Sequence, residues 1–170
     1  MIFVTVGTER FPFDRLIRAV DSLMNIPLEE SIFMQIGFST YIPSSPHERF
    51  LSATEFRERI SKAKIVVSHA GAGTLLMCAN FGKVPIMMPR KKSFGEHVDD
   101  HQQMLAERMA KRGRILLINS PEELEQNILN YEEQCKALPP DPDQDSSPLT
   151  QHLKNLLDGI IKLGDDRQYP

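Results

Sequence analysis

The residues with the clearest capacity for chemistry lie in Ser68-His69-Ala70-Gly71-Ala72-Gly73-Thr74. Small side chains there let backbone N–H groups approach an oxyanion closely. A helix beginning in the segment adds the positive end of its dipole, worth roughly 0.3–1 kcal/mol per anionic charge. Ser68 and Thr74 add hydroxyl donors. The same residues also suit a tight strand-to-helix turn that needs glycine for packing alone. The segment is not a P-loop, since no Gly-Lys-Ser/Thr follows, nor a dinucleotide fingerprint, since the G-x-G-x-x-G spacing is absent. It also lacks the G-x-S-x-G of a nucleophile elbow.

Three further clusters carry polar chemistry. Gly7-Thr8 closes an apolar run, and its glycine either leaves room for a phosphate or simply makes a turn. In Gly95-Glu96-His97-Val98-Asp99-Asp100-His101-Gln102-Gln103, His97 and His101 are four apart and would share one helical face, with Asp100 adjacent. A metal pair there lacks a third ligand at a supporting spacing. Carboxylate, imidazole and amide together suit hydrogen bonding to sugar hydroxyls better. A solvated first helical turn is the plainer reading, since Asp is also favoured there by the dipole. Arg90-Lys91-Lys92 follows a strand end, where it could screen a diphosphate or form an ordinary solvated charge run.

Alternating elements must position these clusters. Ile2–Val6 reads as a buried strand, Phe13–Met24 as a helix, and Ser31–Ile36 as a second strand closed by Gly37. Ser39–Pro46 reads as a loop, and Arg49–Ser52 as a short strand. Thr54 then caps a helix to about Lys62. Lys64–Ser68 is the central strand, followed by a helix to Phe81 that Gly82 stops. Val84–Met88 is a strand ended by Pro89. A helix covers about His97–Arg112, stopped by Gly113, and Arg114–Ile118 is the last strand. Ser120-Pro121-Glu122-Glu123 opens a final helix. The pattern implies an α/β fold: a Rossmann-like parallel sheet with helices on both faces, binding ligands beyond the carboxyl ends of its strands. Residues 1–137 form that domain. Residues 138–148 read as a stiff linker rich in Pro and Asp, 149–163 as an amphipathic helix, and 164–170 as a tail.

Composition narrows the function. The chain has 170 residues, 41% hydrophobic and 25% charged, so an ordinary globular domain is expected. It is short of a two-domain enzyme of about 300 residues. A net charge of -3 argues against a dedicated nucleic-acid binder. Two cysteines, Cys78 and Cys135, make no disulfide scaffold, which fits a reducing cytosol. No apolar run is long enough to span a membrane. The opening Met1–Gly7 has no basic flank and does not read as a signal peptide.

Three blocks in order carry a resemblance: Val66 through Thr74, Gly82 through Arg90, and Phe94 through Gln102, with Val4-Thr5-Val6-Gly7-Thr8 in register before them. From Met1 to about Cys135 the chain resembles the C-terminal domain of family 28 glycosyltransferases. It is similar to the small catalytic subunits of two-component bacterial exopolysaccharide glycosyltransferases, relatives of the N-acetylglucosaminyltransferase of the dolichol pathway. The resemblance implies the donor-binding half of a GT-B fold, split over two chains. It implies a UDP-sugar donor, no bound metal and no other cofactor. A membrane-anchored subunit would hold a lipid-linked saccharide acceptor and keep this chain at the cytoplasmic face of the membrane. It further implies that Gly7, Thr8, Ser68, His69, Gly71, Ala72, Gly73 and Thr74 face the diphosphate. By the same resemblance His97, Asp100, His101 and Gln102 face the donor sugar, while Leu51 and Ser52 lie near the base. Family members often carry an acidic residue for the ribose hydroxyls where Met77 stands here.

Overall fold

In the computed structural model, which describes residues 1–140, six short strands form one parallel sheet. They are β1 (Ile2–Thr5), β2 (Ile32–Gln35), β3 (His47–Glu48), β4 (Ile65–Ser68), β5 (Ile86–Met87) and β6 (Leu116–Leu117), in the spatial order β3-β2-β1-β4-β5-β6. The helices are α1 (Asp14–Ser22), α2 (Ala53–Lys62), α3 (Ala72–Asn80), α4 (His101–Lys111), α5 (Leu124–Leu129) and α6 (Tyr131–Ala137). This doubly wound order reverses direction between β1 and β4, where such sheets open a crevice at their carboxyl edge. The register aligns Thr5 with Gln35 on one side and with Ser68 on the other, so these three residues form the last row before that crevice.

Alternate residues point to opposite faces, and burial of both faces makes the central strands apolar up to their polar last residues, Thr5 and Ser68. Ile2 and Val4 of β1, with Ile65 and Val67 of β4, pack beneath Leu16, Ile17 and Val20 of α1 and Leu124 and Ile128 of α5. Phe3 and Val66 face the other way, against Ile60 of α2 and Met77 and Cys78 of α3. A third cluster joins Ala70, Met87 and Ile115 to Ala106 of α4. Burial pushes the Cys78 thiol up to about 12, so it packs as an inert side chain.

Several boundaries differ from the sequence reading. The third strand is His47–Glu48 rather than 49–52. Helix α2 is capped by Ser52, not Thr54: Glu55 N–H donates to Ser52 Oγ at 3.2 Å, and Ser52 N–H to Glu55 Oε2 at 2.9 Å. That reciprocal pair satisfies two orphan donors, which a Thr54 cap would not. Ser120 and Glu123 repeat the device before α5, with Pro121 at the first helical position as expected. Helix α4 begins at His101, four residues later than expected. The carboxylate of Asp99 accepts the His101 N–H at 3.1 Å, a local bond that competes with helix formation over 97–100. His97 and His101 therefore do not share a helical face. The expected helix over 149–163 and the tail over 164–170 lie outside the described residues.

Candidate functional site

The carboxyl edge of the sheet holds a cleft of about 600 Å³. One wall is built from the turns after β1 and β4. Gly7 has a φ of 74°, a conformation that suits glycine, and a Cβ there would lie 2.6 Å from Cε1 of His69. A Cβ on Gly71 would lie 2.3 Å from His69 Nε2. Both glycines thus make room for the His69 imidazole, the packing reason that the sequence left open. Gly73 differs, because nothing lies within 4 Å of where its Cβ would be. Burial and then the nearby Arg90 charge bring the His69 pKa down to about 4, so this ring is neutral at physiological pH.

Helix α3 begins at Ala72, capped by Gly71 without a side-chain bond. The first-turn N–H groups of Ala72, Gly73 and Thr74 have no intrahelical acceptor, and they border the cleft. Thr8 and Thr74 line it as well. Ser68 does not: it is fully buried, and its hydroxyl donates to the His69 carbonyl at 2.8 Å. Leu51, Ser52, Phe56 and Met77 form a mostly apolar opposite wall, and His101 and Gln102 close the side toward α4. His97 and Asp100 are not among the lining residues. The Nδ1 of His97 sits 3.1 Å from Asp99 Oδ1, and Asp100 Oδ1 accepts the Lys92 N–H at 3.0 Å.

Two buried residues support the cleft: Gln35, which the sequence pattern does not mark, and Arg90, expected as a diphosphate screen or a solvated charge. Gln35, 2% exposed, accepts from the Thr5 hydroxyl at 2.6 Å and the Gly7 N–H at 3.2 Å. Its amide donates to the Gly7 carbonyl at 3.0 Å and the Arg49 carbonyl at 2.7 Å. One side chain thereby ties the ends of β1, β2 and β3. Arg90 is fully buried and donates to the carbonyls of Val6 (2.7 Å), Phe11 (2.8 Å), Pro12 (3.3 Å) and Glu96 (3.1 Å). It therefore pins the turn after β1 from behind instead of lining the cleft to screen a phosphate. Burial lowers its pKa to about 10, still charged at neutral pH. Glu96, also buried, accepts Arg15 Nη2 at 2.8 Å and the Lys91 N–H at 2.9 Å, fixing the segment after β5. Asp99 stands between two imidazoles, with His101 Nδ1 2.8 Å from its Oδ2. Among the described residues, no three His, Cys, Asp or Glu side chains are grouped to hold a metal ion.

A parallel sheet in this order, with a glycine-rich turn and a helix N-terminus at its switch point, defines a Rossmann-like domain. The sequence matches the glycosyltransferase family 28 C-terminal domain over residues 1–156, and the chain belongs to that family. It is 30% identical, over 92% of its length, to the UDP-N-acetylglucosamine transferase subunit ALG13 of Homo sapiens, and it spans 14% of that protein. It is 29% identical to the protein of the same name from Yarrowia lipolytica, covering 69% of this chain and 64% of the relative. The fold is similar to that of CalG4, the calicheamicin glycosyltransferase, with a TM-score of 0.56 and 16% identity, over 96% of this chain and 39% of CalG4. It is also similar to Acinetobacter baumannii MurG, with a TM-score of 0.52 and 21% identity, over 92% of this chain and 49% of MurG. Such two-domain glycosyltransferases have the GT-B architecture, and this fold corresponds to part of it. Among the described residues, no helix is long and apolar enough to cross a membrane.

Proposed function

We propose that this chain is the donor-binding subunit of a two-component inverting glycosyltransferase. It takes a UDP-sugar in the cleft and works with a membrane-anchored subunit that presents a lipid-linked saccharide in polysaccharide biosynthesis. The observation that carries this reading is the cleft itself. In a member of this family, it brings Gly7, Thr8 and the His69–Thr74 turn between Leu51 and Ser52 on one side and His101 and Gln102 on the other. The first-turn N–H groups of α3 and the Thr8 and Thr74 hydroxyls suit the diphosphate. Leu51, Ser52 and Phe56 suit a flat base, and His101 and Gln102 suit sugar hydroxyls. The relatives' name, UDP-N-acetylglucosamine transferase subunit, supports both the donor class and the need for a second chain. That second chain would hold this one at the cytoplasmic face of the membrane.

In the reaction, an acceptor hydroxyl attacks the anomeric carbon, the bond to the diphosphate oxygen breaks, and UDP leaves with the electron pair. A general base on the partner takes the hydroxyl proton. Donors aimed at the diphosphate stabilise the charge that develops on it. A non-catalytic nucleotide-sugar-binding subunit is the second reading, favoured by apolar Met77 on the cleft wall. Titration of the purified chain with UDP and UDP-N-acetylglucosamine, followed by a transfer assay with the co-expressed membrane subunit, tests both. Donor binding with transfer only in the complex is expected. Binding without transfer in the complex favours the second reading, and no binding of any UDP-sugar overturns both.

A further inference from the structure

The Asp99 carboxylate lies beside the cleft and constrains how one lining residue presents its hydrogen-bonding atoms. Its Oδ1 accepts the His101 backbone N–H at 3.1 Å and lies 3.1 Å from His97 Nδ1, while its Oδ2 lies 2.8 Å from His101 Nδ1. His97, only 17% exposed at its side chain and tilted against the Phe11 ring, lies beside that same Oδ1, with its Nδ1 also 3.3 Å from the Asp99 backbone N–H. An ionised carboxylate accepts hydrogen bonds and donates none, so the Nδ1 of His101 must carry the proton. In the neutral imidazole Nε2 is then bare. His101 lines the cleft with its side chain 80% exposed, and with Nδ1 engaged by Asp99 its Nε2 is the ring nitrogen free to meet a ligand.

We propose that Asp99 is a positioning residue of this site: it holds His101 in the Nδ1–H tautomer and so presents a hydrogen-bond acceptor to a hydroxyl of the ligand. The proposal rests on the reading of the cleft as a nucleotide-sugar site, and it adds a direction to one of its contacts. His101 accepts from the sugar and does not donate to it, while Gln102, whose amide has both functions, covers the opposite polarity. Asp99 touches no ligand itself. Its effect passes entirely through the imidazole.

Asp99→Asn tests this with a predictable sign. The Asn Oδ1 keeps the His101 backbone N–H, which leaves its NH2 group at the Oδ2 position facing His101 Nδ1. An NH2 group there donates, so the ring must switch to the Nε2–H tautomer and offer the cleft a donor. Nitrogen-15 NMR of the full chain, with the His101 signals identified by their loss in His101→Gln, reads the tautomer directly. Expected are a bare Nε2 in the wild type and a protonated Nε2 in Asp99→Asn. Titration should then show UDP-N-acetylglucosamine weakened about tenfold by the substitution, with UDP changed less than about twofold. An Nε2–H tautomer in the wild type, or one that does not respond to Asp99→Asn, overturns the proposal. So does a switched tautomer with unchanged sugar affinity. If the wild type shows the expected tautomer but binds no UDP-sugar, the reading of the cleft fails instead, and the ligand role of Asp99 fails with it.

Discussion

Two glycines two residues apart should respond in opposite ways to the same methyl group. At Gly71 an added Cβ lies 2.3 Å from His69 Nε2 and 2.9 Å from its Cε1. The imidazole is 7% exposed and cannot swing toward β1, because the space beside Gly7 is the other half of its slot. Gly71→Ala therefore overpacks a closed site and should cost about 1–3 kcal/mol. At Gly73 the same methyl meets open space in the first turn of α3, where alanine favours the helix by about 0.5–1 kcal/mol. The two variants should differ by at least about 1.5 kcal/mol, and in Tm by at least about 3 °C. Thermal unfolding followed by circular dichroism reads the difference. A larger side chain at Gly73 then separates binding from folding. Gly73→Val should stay folded yet weaken UDP by about tenfold or more, equivalent to about 1.4 kcal/mol. If Gly71→Ala melts as high as Gly73→Ala, the His69 slot does not constrain the turn. If folded Gly73→Val binds UDP like the wild type, the diphosphate does not lie at the start of α3.

Two other expectations concern the frame. Burial alone would raise the Asp21 pKa, but hydrogen bonds from Ser44, Tyr41 and Ser45 outweigh it and hold the carboxyl below its usual range. Its stabilisation is therefore complete above the ordinary Asp value of about 3.9 and is lost as pH falls through the lower folded value. Urea midpoints measured from neutral to about pH 3 should fall less steeply in Asp21→Asn than in the wild type, and parallel curves would contradict the assignment. Arg90→Lys keeps the charge but gives up a planar fork that reaches four carbonyls. It should lower stability by about 3 kcal/mol, and an unchanged melting temperature would show that the fork does not pin the turn after β1.

What the sequence disclosed and what it hid divide along a physical line. The central strands were readable because Ile2–Val4 and Ile65–Val67 are buried on both faces and so form unbroken apolar runs. The glycine-rich turn was readable because its small residues are contiguous. Gln35 was not, since its four partners are at residues 5, 7 and 49, which only the sheet brings together. Arg90 looked like the start of a solvated basic run beside Lys91 and Lys92, and its burial depends on a carbonyl 84 positions earlier in the chain. The late start of α4 was hidden for a different reason. His97, Asp99 and His101 make local side-chain bonds that override the helical preference of the segment, and spacing alone cannot show which oxygen faces which ring. Asp99 was passed over for Asp100, its neighbour, although Asp99 is the one turned toward His101.

The charge balance of the cleft argues most strongly for a shared site. None of the described residues that line it is lysine or arginine, and Glu9 adds a negative charge at the rim. Arg90, whose charge reaches His69 beside the cleft, is spent on backbone carbonyls behind the turn. Among the described lining residues, what a diphosphate meets is the first turn of α3, equivalent to roughly half an elementary charge, with the Thr8 and Thr74 hydroxyls. Such neutral donors can orient a diphosphate and hold it weakly. They leave most of the charge that builds on a departing UDP without a counter-charge. A cation from a second chain, closing over the carboxyl edge of the sheet, would supply that missing stabilisation at the step where it lowers the barrier. On this argument the isolated chain should bind its donor without turning it over.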